Sequence, residues 1–235
     1  MAESVAFVGA AGGTGTTRIT LACAELLARE GHDAVILDAA YGTQGLADRT
    51  SGAIDPDITQ LCLEEIPLES GLLDRSIQGG GRLSVCPARA PFSRVAKAKT
   101  VEAAERFEAR IEEATRQFEY VLIDTPPVAA NQAVAAVTGG ESVAVVCDAP
   151  RAESAVPRTV DRLKDIGIEE WTTVVTRAST HPDADLTVPT LKAEPPVVDE
   201  TTAAYDALCA VVDETTGVAI ERETAEGFLS KLSFR

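Results

Sequence analysis

The sequence predicts an α/β fold of three layers, a mostly parallel sheet with helices on both faces. Three observations carry this. Short apolar runs alternate with helix-like segments along most of the 235 residues. Two of the runs, "AVILD" and "YVLID", are continuously apolar, as strands buried on both faces are. The chain is also long enough to cover both faces of such a sheet, and it has no internal repeat.

Taken in order, "SVAFVGA" is the first strand and leads through a Gly-rich turn into a helix over about 17–30. "AVILDA" (34–39) is a buried strand ending in Asp38. An irregular region follows, in which "DITQLCLEE" is the clearest helical piece, and "RLSVCPA" is the next strand. Ala104, Phe107, Ile111, Ala114 and Phe118 recur at helical spacing and define an amphipathic helix over 100–118. "YVLIDTPP" (120–127) is a second apolar strand ending in acid, at Asp124. "ESVAVVCDA", a helix through "SAVPRTVDRLKDIG", the strand "EWTTVVTRA" and a helix near 202–215 complete the alternation. The expected division is a domain over 1–217 and a tail over 218–235.

Composition narrows the function. The chain has 21 basic and 37 acidic residues, a formal net charge of −16. Only five of the basic residues are lysines. An Asp- and Glu-rich, Lys-poor surface fits a halophilic source, where salt screens the self-repulsion. The same charge argues against general nucleic-acid binding, which needs a basic face. "MAES" has no basic region of a signal peptide, and no apolar stretch approaches the length of a membrane span, so a cytoplasmic location is expected. Cys23, Cys62, Cys86, Cys147 and Cys209 are scattered and odd in number, which fits buried thiols rather than disulfides or a zinc site. His32 and His181 have no partner pattern. Arg94, Lys97 and Lys99 form a basic cluster in "PFSRVAKAKT" that reads as a solvated face.

"GAAGGTGTTR" (9–18) stands between the first strand and the first helix. Such a turn directs successive backbone N–H groups, and the positive end of the helix, at a phosphate. Gly12, Gly13 and Gly15 supply the conformations, Thr14 and Thr16 complete the loop, and Thr17 offers a hydroxyl for magnesium. The pattern G-x-x-x-x-G-K-[ST] is broken twice, by Ala10 at the first Gly and by Thr16 at the Lys. Asp124, at the end of an apolar strand, stands where a second acidic group would hold a magnesium water. Arg18, one residue past Thr17, is expected to face solvent.

As an ordered set, "AGGTGTT", "VILDAAYGTQGLAD", "YVLIDTPP", "VVTRA" and "TVPTL" resemble the MinD/ParA family of P-loop ATPases over most of the chain. The resemblance implies the P-loop NTPase fold, ATP or ADP with Mg2+ as cofactor, and magnesium held through Thr17 and Asp124. It adds Thr176, Arg177 and Pro189 as nucleotide contacts beside the base. It also exposes three departures: Ala11 stands at the family's signature lysine, Thr16 at its loop lysine, and Ala40 at its switch I aspartate. Phosphoryl transfer relies on positioning and charge, so losing one cation costs ~10³-fold or more. The expectation is therefore a weak nucleotide binder with negligible hydrolysis. No catalytic residue is assigned, with Asp38 and Asp124 the candidates if the chain does hydrolyse ATP. The CpaE/TadZ branch is similar in lacking these lysines and serves in positioning. An active ATPase and an interaction module binding no nucleotide are the alternatives.

The tail "TAEGFLSKLSFR" is similar to the membrane-targeting helix of MinD, with Phe228, Leu229 and Leu232 on one arc and Lys231 beside it. It implies peripheral contact with a membrane or a partner. Protein partners are expected, and a homodimer is left open.

Overall fold

The computed structural model describes residues 2–191 and 202–220. Strand β1 (Glu3–Gly9) leads into α1 (Thr16–Arg29), followed by β2 (Ala34–Asp38) and α2 (Ile58–Glu64). Next come β3 (Leu73–Arg75), β4 (Leu83–Cys86), α3 (Phe92–Lys97), α4 (Val101–Gln117) and β5 (Tyr120–Thr125). The order closes with α5 (Asn131–Thr138), β6 (Ser142–Asp148), α6 (Ala149–Asp165), β7 (Thr172–Thr176), β8 (Leu186–Val188) and α7 (Ala203–Thr216).

The strands form one sheet in the order β3-β4-β2-β5-β1-β6-β7-β8. All neighbours are parallel except β3 and β4. The predicted three-layer α/β architecture is thus the observed one. Every residue of β2 is buried, and β1, β5 and β6 are buried beyond their first residue. That is why these strands read as unbroken apolar runs. The two edge strands, β3 and β8, are only three residues each, which leaves little open ladder for intermolecular pairing.

The two faces bury alternate residues of each strand. On one face Val5, Phe7, Ile36, Leu122 and Val146 pack against α1 and α7. On the other, Val35, Leu37, Val121 and Ile123 pack against α2 and α4, and Ala6, Val8 and Val145 pack against Val137 of α5 and Leu163 of α6. Helix α4 follows its predicted span closely, with the Thr100 hydroxyl capping the N–H of Ala103. Gly217, in the left-handed region at φ 70°, ends α7, and Val218 and Ile220 beyond it rest against the α1–α7 core.

Four elements escape the sequence reading. Helix α3, of six residues, lies in the segment read only as a solvated basic face. Helix α5 is short and built largely of alanine and valine, and Ala133, Ala135, Ala136 and Val137 hold it by burial rather than by a readable stripe. Strands β3 and β8 are too short for a period to register. Helix α6 also starts earlier than expected, directly after β6, with Asp148 at its N-cap and a proline in its first turn. In the basic segment, Val95 and Ala98 are buried, while Lys97 and Lys99 are exposed. Phe228, Leu229, Lys231 and Leu232 lie outside the described residues. No described helix is long and apolar enough to cross a membrane.

Candidate functional site

Parallel strands deliver their carboxyl ends to one edge of the sheet, so Gly9, Asp38, Asp124, Asp148 and Thr176 all reach the same rim. The loop after β1 starts by bonding the N–H of Ala10 to the Val146 carbonyl (2.9 Å). Gly13 and Gly15 adopt φ of 76° and 93°, a conformation an L side chain resists, and Gly15 caps α1. No acidic residue occupies the first turn of α1, so its positive end is uncompensated.

The threonines divide the work within the loop. The Thr14 hydroxyl donates to the Ala11 carbonyl (3.0 Å) and lies 3.1 Å from that of Thr16. A Cβ at Gly9 would fall 2.7 Å from the Thr16 hydroxyl oxygen, so the Thr16 side chain folds back beneath the loop. Thr176 ties β7 to the loop by donating to the Thr14 carbonyl (2.8 Å). Thr17 points elsewhere and donates to Asp124 Oδ2 at 2.6 Å.

Asp38 and Asp124 sit side by side, register partners on β2 and β5. Burial raises the pKa of Asp124 to about 6, against the Thr17 hydroxyl bond and the Arg49 guanidinium, which lower it. Burial, and after it the Asp124 charge, raise Asp38 to about 8. Both Asp38 oxygens accept backbone N–H groups, Oδ1 from Ala40 (2.8 Å) and Oδ2 from Ala88 (3.0 Å). Asp38 thus fastens the ends of β2 and β4 and contributes no wall to the cavity described next.

A cavity of about 290 Å³ opens over the loop, lined by residues 11–18 together with Gly9, Ala40, Thr43, Gly45, Arg49, Asp124, Thr125 and Arg177 among others. A smaller one of about 80 Å³ adjoins it, lined by Thr14, Gly15, Arg18, Thr176, Arg177, Pro189 and Leu191. Every predicted nucleotide contact lines one or both: Gly12, Gly13, Thr14, Gly15, Thr16 and Thr17 around the loop, with Thr176, Arg177 and Pro189 at the smaller end. Ala11, Thr16 and Ala40 line the larger cavity without charge. Arg18 differs from expectation. It is half-buried and lines both cavities, because the chain at 189–191 closes over it. Burial, then the guanidiniums of Arg49 and Arg177, lower its pKa.

The sequence reading missed a clamp on the loop. Asp148, buried at the end of β6, accepts from Arg151 Nε (2.6 Å) and Arg177 Nη1 (3.2 Å). Those two arginines in turn donate to the carbonyls of Gly12 (2.6 Å) and Gly13 (3.1 Å). With its carbonyls held from outside, this stretch of loop is free to present N–H groups inward. A signal was there: "AVVCD" ends an apolar strand in aspartate, as the strands ending at Asp38 and Asp124 do.

This rim defines a class: an α/β domain with a phosphate-type loop, a strand-end carboxylate bonded to the first helix, and a cavity over both. A family model described as "AAA domain" matches residues 2–169, and the chain belongs to that family. The sequence matches no curated protein. Its fold is that of MinD and ParA ATPases. MinD from Pyrococcus horikoshii OT3, complexed with Mg-ADP, superposes with a TM-score of 0.73 at 16% identity, covering 92% of this chain and 96% of that one. A ParA family ATPase from Chlorobium tepidum TLS gives 0.76 at 15% identity, over 90% and 99%. MinD in the MinC:MinD complex of Aquifex aeolicus gives 0.72 at 20% identity, over 95% and 99%.

Proposed function

We propose that this protein holds a magnesium nucleotide in the cavity over residues 9–18, hydrolyses it poorly, and acts in spatial positioning through protein contacts. The observation that carries the reading is the lining of one cavity. It combines a glycine loop, the Thr17 hydroxyl and the Asp124 carboxylate with neutral side chains at Ala11, Thr16 and Ala40. A hydroxyl and a carboxylate 2.6 Å apart form a donor set suited to a hard cation. They fit Mg2+, which would neutralise phosphate charge and offset the Asp124 charge that helps to raise Asp38. The loop N–H groups and the start of α1 would hold the phosphates, and the Thr176–Pro189 end would take the base. The Mg-ADP complex of the Pyrococcus MinD supports this choice of ligand, and the MinC:MinD complex supports protein partnership.

Without a carboxylate at Ala40 to orient water, or a lysine at Ala11 or Thr16, turnover is expected to fall by ~10³-fold or more relative to a fully charged site. A second reading, an ATPase that draws its cation from elsewhere, is favoured by the arginines lining the cavity. Calorimetry with Mg-ATP and Mg-ADP in high salt, joined to a phosphate-release assay, decides between them. Binding without release supports the first reading. Release that disappears in Asp124→Ala supports the second, and no heat at millimolar nucleotide removes both. The tail around Phe228 to Leu232 is proposed as a peripheral contact. Equal flotation of full-length and tail-deleted protein with anionic liposomes would dispose of membrane binding.

A further inference from the structure

Three guanidiniums, Arg18, Arg49 and Arg177, line the larger cavity beside a single carboxylate, Asp124. In a chain of net charge −16 this is a marked local reversal of sign. The three are not equivalent. Arg18 and Arg177 also line the smaller cavity with Pro189, whereas Arg49 and Asp124 line only the larger one. Arg49 therefore stands at the magnesium end, away from the base.

Arg177 shares the Asp148 carboxylate with Arg151 and donates to the Gly13 carbonyl of the loop. Arg49, in contrast, has no carboxylate partner within ion-pair distance among the described residues; its Nη1 donates to the neutral Gly45 carbonyl (2.9 Å). Its platform is fixed. Arg49 ends a single helical turn, Ala47–Arg49, beside buried Leu46. The Thr50 hydroxyl donates to the Leu46 carbonyl (2.8 Å), and Arg75 donates to the carbonyl of Arg49 itself (2.7 Å). Gly45 lies so close to α1 that a Cβ there would come within 3.2 Å of the Thr17 hydroxyl oxygen.

We propose that Arg49 is the cation for the terminal phosphate of a bound nucleoside triphosphate, supplying from the 45–50 segment the charge that the loop lacks. This rests on the nucleotide reading above and deepens it. A diphosphate, ending short of Arg49, is held by the loop and α1 alone. A triphosphate draws the guanidinium from the neutral Gly45 carbonyl onto its own anionic oxygens, a bond between opposite charges that is stronger than the one to a neutral acceptor. The 45–50 segment then distinguishes the two nucleotide states.

The test is calorimetry of Mg-ATP and Mg-ADP with the full chain and with Arg49→Ala, Arg49→Lys and Arg116→Ala. Arg116 is exposed on α4 and controls for general loss of positive charge. The expected result for Arg49→Ala is a loss of about tenfold or more in Mg-ATP affinity, with Mg-ADP changed by less than about twofold, and partial recovery in Arg49→Lys. Equal weakening of both nucleotides, or an Arg116→Ala effect of the same size, overturns the assignment. Wild type that binds both nucleotides while Arg49→Ala matches it overturns the assignment and leaves the nucleotide reading standing. Wild type that binds neither overturns both. Unchanged thermal melting of Arg49→Ala excludes misfolding as the cause.

Discussion

The Thr17 hydroxyl donates to the Asp124 carboxylate over 2.6 Å, joining the first turn of α1 to the end of β5 across 107 residues of chain. Asp124 is 1% exposed, so this short bond does much of the work of keeping a charged oxygen out of water. Thr17→Ala is expected to cost about 1.5–3 kcal/mol in urea unfolding at neutral pH, because it leaves that oxygen unsatisfied. Thr17→Ser keeps the hydroxyl and should lose less than about 1 kcal/mol. Equal losses in the two variants would mean that the methyl group, not the bond, is what counts.

Stability should fall as pH rises, through Asp38. Its pKa is raised in the folded state to about 8, by burial and then by Asp124. The folded chain therefore holds a proton that the unfolded chain, with an ordinary carboxylate near ~4, has released. That contribution is complete below about pH 4 and is lost as pH climbs towards 8. Asp124, raised to about 6, contributes in the same direction, so Asp124→Asn removes both its own titration and its charge beside Asp38 and should flatten the profile between pH 5 and 8, measured without magnesium. Parallel profiles for wild type and variant would show that neither the Asp124 carboxyl nor its charge on Asp38 shapes the pH dependence.

Gly9 has no room for a side chain, since an added Cβ would meet the Thr16 hydroxyl oxygen at 2.7 Å. Gly9→Ala is expected to lower the melting temperature, with a cost of about 1–3 kcal/mol for overpacking. Combining it with Thr16→Ala removes the obstructing atom and should recover part of that loss. Strict additivity in the double-mutant cycle would place the Thr16 side chain elsewhere.

The Asp148 clamp should be visible in amide exchange. Asp148→Ala frees Arg151 and Arg177, which are 38% and 51% exposed, so the stability loss is moderated by solvent to about 1–2 kcal/mol. Exchange in a peptide covering 9–18 should speed up while the β2 and β5 peptides stay protected. Unchanged loop exchange would mean that the loop holds its shape without the arginines.

Much of the fold was legible because its signals are local. Continuous apolar runs announced β2, β5 and β6, and helical spacing announced α4 almost to the residue. Helix α5 was not legible, since a few alanines and valines carry no stripe and only burial against α4 and the sheet makes them a helix. The loop glycines, Thr17 and Asp124 were readable as a set because a phosphate loop is contiguous and a strand-end aspartate marks itself. Arg18 was misjudged because its surroundings depend on residues 189–191, far away in sequence.

The sequence by itself determined the layered α/β fold, the loop after β1 and the neutral residues at Ala11, Thr16 and Ala40, because each is written in adjacent residues. Only the tertiary structure decided how charge is distributed around the cavity. Strand order sets Asp38 beside Asp124 and turns it into a buried acceptor of backbone N–H groups. The same order brings Arg49, Arg151 and Arg177, from three separate connections, to one rim. Guanidinium positions depend on the packing of long side chains across chain segments, and no local pattern encodes that.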